Sequence, residues 1–96
     1  MRFADLIQRQ LALFRQDYGD LMDACAAAER AYDRAHRDEA EERYAEYLEL
    51  VEEGTDVLVE IRDTYAATLE PDAAEEYVQR FDHEVGRRLP RFALGL

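Results

Sequence analysis

The sequence predicts an all-α protein, and three observations carry that prediction. Ala, Glu, Arg and Leu, all strong helix formers, dominate the composition. No window holds the strict alternation of a half-buried strand. Apolar residues instead recur at steps of three and four along long segments, the seam of a helical bundle. The expected architecture is a long antiparallel helical hairpin plus a shorter third helix, completed to a four-helix-type bundle by dimerisation. A single domain over residues 1–96 is expected, because about 100 to 200 residues make a domain.

The first helix is predicted over residues 3–35. Its stripe is Ala4, Ile7, Leu11, Phe14, Tyr18, Leu21, Cys25, Ala28, Tyr32 and Ala35. Gly19 interrupts the segment without changing the phase of the stripe, so a weak point or kink is expected there rather than a turn. Continued past Ala35, the same spacing lands on Glu39, Glu42, Glu46, Glu49, Glu53, Asp56, Glu60 and Asp63, every one an acid. The apolar residues have moved two places, to Ala40, Tyr44, Tyr47, Val51, Leu58, Ile61 and Tyr65. Two residues are about 200° of helix rotation, so one straight helix would swap its buried side. A turn near His36 to Asp38 removes the conflict. Asp38 as N-cap, with Glu41 three residues on, would then form a capping box.

The second helix is predicted over 39–69, ended by Pro71. The third is predicted over 73–89, with Asp72 and Glu75 as a second capping pair and Ala74, Tyr77, Val78, Phe81, Val85 and Leu89 inward. Pro90 stops it, and residues 90–96 read as a short apolar tail. The first two helices are far longer than the third. The third is therefore expected to cover only the end that holds Phe3 to Tyr18 and Val57 to Leu69. The other end would expose an apolar face of Leu21, Cys25, Ala28, Tyr32, Tyr44, Tyr47 and Val51. Such a face is uncommon on a monomer and predicts a homodimer.

Charge narrows the function classes. The chain carries 12 basic against 23 acidic residues, a net charge of −11. Such a surface repels phosphate backbones and anionic lipid, so neither nucleic acid nor membrane is an expected partner. No stretch approaches the ~20 apolar residues of a membrane span. The opening Met1-Arg2-Phe3-Ala4-Asp5 meets an acid before any apolar run, unlike a signal peptide. One Cys makes neither an internal disulfide nor a thiolate zinc cage, and a cytoplasmic location is expected. The basic residues are all Arg, with no Lys, Ser, Asn or Trp.

Candidate sites are few. The acid row along the second helix has the ligand chemistry of hard cations, yet sits opposite the apolar arc, where a solvated face is the plainer reading. Glu29, Asp33 and His36 share one helical side, either as metal ligands or as a hydrogen-bonding rim near the turn. Cys25 falls on the inward stripe, as a buried thiol. Arg87, Arg88 and Arg91 form a basic cluster where cations favour a helix C-terminus or meet an anionic partner. No nucleophile elbow, phosphate loop or Cys-x-x-Cys occurs. The expected function is therefore self-association and protein–protein contact, with no cofactor.

One resemblance adds an alternative. Glu52-Glu53-Gly54-Thr55-Asp56-Val57-Leu58, followed by Arg87-Arg88-Leu89-Pro90, resembles the second half of the MazG-type all-α nucleotide pyrophosphohydrolases. Phe14-Arg15-Gln16-Asp17-Tyr18-Gly19 is similar to their first helix. That family is oligomeric and holds magnesium with Glu-x-x-Glu on one helix and Glu-x-x-Asp on the next. The resemblance implies Glu53 and Asp56 as the second pair, and Glu29 as one member of the first. Ala26 stands where the other member falls, so the first pair is incomplete. The activity implied is magnesium-dependent cleavage of nucleoside triphosphates.

Overall fold

A computed structural model describes residues 2–96; Met1, with which the predicted 1–96 domain opens, lies outside the described residues. Among those described, the chain is helical throughout, with no strand. The elements are α1 (Ala4–Asp17), α2 (Gly19–Arg34), α3 (Arg37–Ala66), α4 (Pro71–Arg88) and a C-terminal 3₁₀ turn (Pro90–Gly95). They form an elongated body of 51 × 22 × 19 Å.

The predicted first helix divides into α1 and α2 at one residue. Tyr18 leaves helical geometry, at φ −119° and ψ 29°. The hydrogen-bond ladder still crosses the break, from Tyr18 N to Phe14 O at 2.8 Å and from Met22 N to Tyr18 O at 3.0 Å. The weak point thus falls one residue before Gly19, and the stripe keeps its phase as expected.

The helix breaks at Ala35 and His36, both extended. α2 ends at Arg34, one residue short of the predicted end, and α3 starts at Arg37, before Asp38. The Asp38–Glu41 capping box is therefore not formed. His36 holds the N-cap position without a side-chain bond, and Asp38 and Glu39 lie in the first turn, where their charge favours the positive end of the helix. The phase argument holds along α3: Glu39, Glu42, Glu46, Glu49, Glu53, Asp56, Glu60 and Asp63 are all exposed.

α3 stops at Ala66, short of Leu69, and the second capping pair is also absent. Glu70 is the N-cap of α4 and Pro71 its first residue, not merely a stop signal. A proline fits there because the N–H it lacks has no partner within the helix anyway.

The core gathers at one end. Ile7, Leu11 and Phe14 from α1, Leu58 from α3, and Tyr77, Phe81 and Val85 from α4 are buried together. α4 packs on α1 and the second half of α3, as the helix lengths predict. Tyr77 is the centre of this packing. Its ring meets Phe3 at 5.5 Å and Tyr65 at 4.8 Å, and its hydroxyl donates to Gln10 Oε1 at 2.8 Å. Arg62 ties α3 to α4 through Asp82 at 2.9 Å. Partial burial works against its charge, but hydrogen bonds to Asp63 and Asp82 outweigh that and hold the guanidinium protonated.

Tyr77 predicts an alkaline transition. Burial pushes its phenol up to about 12. A tyrosine in the unfolded chain ionises near pH 10. Stability that depends on a neutral Tyr77 is thus complete below about pH 10 and is lost as pH rises from there through about 12. Urea melts across that range should show the decline, and Tyr77→Phe should lessen it. A midpoint that stays constant to pH 12 would contradict the assignment.

The first six residues of the predicted tail, Pro90–Gly95, take on structure that their short apolar pattern did not indicate. Leu89 and Phe92 are buried. The Phe92 ring lies against the bare backbone of Gly54 in α3, where any Cβ would collide with it. Buried Thr55 turns its hydroxyl inward, donating to Val51 O at 2.9 Å.

Candidate functional site

The acids singled out by the resemblance do not form a common cluster. Glu29 Oε1 accepts from Arg91 Nη2 at 3.0 Å, an ion pair between α2 and the 3₁₀ turn. Glu53 and Asp56 are exposed on the solvated side of α3, and Ala26 is half-buried. Asp33 and His36 are exposed as well. Among the described residues, no three His, Cys, Asp or Glu side chains come together in a way that would hold a metal ion.

Arg91 instead becomes the organising residue of this region. Besides Glu29, its guanidinium lies over the Tyr47 ring, 5.7 Å from the centroid. It also acts on Cys25, whose thiol is pushed up by burial while Arg91 works the other way. Tyr47 shows the same balance, raised by burial with Arg91 opposing. In the sequence Arg91 reads as one of three clustered cations, and the structure separates it from the other two. Arg88 and Arg87 pair with Glu84 at 2.8 and 3.2 Å, and their hydrogen bonds, that of Arg88 foremost, hold its carboxyl below the usual range.

The predicted apolar face is placed as follows. Tyr32, Tyr44 and Leu48 are exposed, at 39%, 45% and 45%. The Tyr32 and Tyr44 rings meet at 5.1 Å across α2 and α3, and Tyr47 lies 6.3 Å beyond Tyr44. Leu21, Ala28, Tyr47 and Val51 are half-buried. Cys25 is the exception, at 0% exposure. It belongs to the interior of one chain, because the 3₁₀ turn that the sequence left as a tail folds back beside it. Leu94, on that same turn, is 99% exposed.

A second feature had no sequence signal. A groove of about 910 Å³ runs between α1 and α4, lined among others by Gln8, Glu76, Gln79, Arg80, His83 and Arg87. Glu76 and Arg80 approach only to 3.9 Å within it, and Glu76 Oε2 and Arg80 Nε are buried without a hydrogen-bond partner. Acids and cations are mixed along it, with no convergent set for one ligand charge.

Searches against protein-family models, curated proteins and solved structures find no match for this chain. The fold defines it as a small all-α protein. None of its described helices is long and apolar enough to cross a membrane.

Proposed function

We propose that this chain is a cytoplasmic interaction protein that works as a homodimer. In this reading α2 and α3 form an antiparallel hairpin, and the uncovered halves of two hairpins close face to face into a four-helix bundle. The observation that carries the reading is the strip of Tyr32, Tyr44 and Leu48, exposed side by side where neither α4 nor the 3₁₀ turn reaches. Tyrosine suits a subunit contact, since its ring is buried while its hydroxyl stays at the wet rim.

Size supports a second copy as the occupant. α2 has 16 residues, so the two-helix face is at most about 24 Å long and about 20 Å wide, less the part beside Cys25 and Glu29 that the 3₁₀ turn takes up. That is at most on the order of 500 Å² in projection, and side-chain relief brings it towards the roughly 800 Å² per partner of a stable interface. The cytoplasmic placement rests on Cys25 as a free, buried thiol, which needs no oxidising compartment.

Sedimentation equilibrium at tens of micromolar, in about 0.5 M NaCl to shorten charge repulsion, should give the mass of a dimer. Tyr44→Ala with Leu48→Ala should give a monomer of unchanged helical content. A monomeric parent chain under those conditions would sink the reading.

A further inference from the structure

We infer that ionic strength controls this association, with the chain monomeric in dilute salt and dimeric once its charge is screened. The inference rests on the homodimer reading and concerns the same face.

Each copy carries a net charge of −11, and its body is only 22 × 19 Å in cross-section. Two copies meeting along α2 and α3 bring their charge centres to about 20 Å apart. The screening length is about 10 Å at 0.1 M salt and about 3 Å at 1 M. At 0.1 M the centres stand about two screening lengths apart, so only a fraction of the repulsion between two such charges survives, and at 1 M about seven lengths separate them and it is gone.

The rim of the face adds to this. Asp33 adjoins Tyr32 on α2, and Glu41 and Glu52 lie on the same line of α3 as Leu48, seven residues before and four after it. All of them are exposed. A two-fold arrangement sets such a rim against its own copy. Two of the cations nearby are engaged within their own chain. Arg91 pairs with Glu29 at 3.0 Å, and Arg43 with Glu46 at 3.2 Å and Glu39 at 3.9 Å. Exposed Arg30 and Arg34 on α2 and Arg37 at the start of α3 can meet a partner's acid, but the exposed Asp33, Asp38, Glu41, Glu42, Glu49 and Glu52 outnumber them. The apolar centre thus attracts while the rim and the net charge oppose, and only the opposing part is removed by salt.

Sedimentation equilibrium of the full chain from about 0.1 M to about 1 M NaCl tests this, the screening length falling about threefold between them. The dimer Kd is expected to fall by about tenfold or more. The variant Asp33→Asn with Glu41→Gln and Glu52→Gln carries three fewer negative charges. Repulsion follows the product of the two net charges, so the variant's salt response should drop to about half and its dimer should be tighter in dilute salt. A dimer whose Kd ignores salt would overturn the control and leave the homodimer standing. So would a variant with the full salt response, since a general salting effect on apolar contact would not sense the substitution. A chain monomeric at every salt concentration would remove the homodimer reading itself.

Discussion

Tyr77→Ala is expected to remove about 3 to 5 kcal/mol of stability, the usual cost of deleting a large buried ring. A domain of this size holds roughly 5 to 15 kcal/mol in all, so the variant should be largely unfolded at modest urea. The reason is local. Tyr77 is fully buried, and Phe3, Tyr65 and Phe81 all pack on its ring. Through them it joins α1, α3 and α4. Tyr77→Phe keeps that packing and loses only the bond to Gln10, at about 1 kcal/mol. Urea melts followed by circular dichroism distinguish the two. Equal losses in both variants would mean that the hydrogen bond, not the ring, holds the three helices.

Phe92→Ala should cost a similar amount, about 3 kcal/mol or more, although the residue lies in the last five of the chain. Its ring is 2% exposed, meets Phe14 at 5.8 Å and fills the space that Gly54 leaves on α3. The two positions should therefore be coupled. In the parent chain Gly54→Ala forces a methyl into the ring, with a cost of about 1 to 3 kcal/mol. In the Phe92→Ala background the ring is gone, and the same change should gain up to about 1 kcal/mol of helix propensity. A double-mutant cycle reads this change of sign directly. Gly19, with nothing within 4 Å of an added Cβ, is the control, because Gly19→Ala should not depend on residue 92. Additive losses at Gly54 and Phe92 would show that the 3₁₀ turn does not seat on α3 as described.

The parts of the site legible beforehand are those that periodicity governs. The shift of the apolar phase after Ala35 places the break and the solvated acid row, since a helix has only one buried side along its length. It also places Tyr32 and Tyr44 beside that break, where their rings meet. Helix starts were less legible. Asp38 and Asp72 are good cap residues, yet the chain enters α3 and α4 ahead of both. Two extended residues complete the first break before Asp38 is reached, and Pro71 suits the first position of α4 better than a place outside it. Arg91 was misplaced because cations adjacent in sequence need not point the same way once the helix has ended at Arg88.

Composition and spacing alone determined that this protein is helical, that the helix breaks close to His36, and which residues of α3 face water. These are consequences of helix geometry and of apolar burial, both readable within a window of a few turns. Tertiary structure alone decided the fate of Cys25, Gly54, Glu29 and residues 90–96. A short apolar tail has no period of its own, and it folds because α1 and α3 offer Phe92 a cavity. Gly54 looks like a defect in α3 until that ring arrives from 38 positions along the chain. Glu29 is a surface acid until Arg91 reaches it across the same seat. Contacts between residues so distant in sequence carry no local signature, and they form only when the helices have already been brought together.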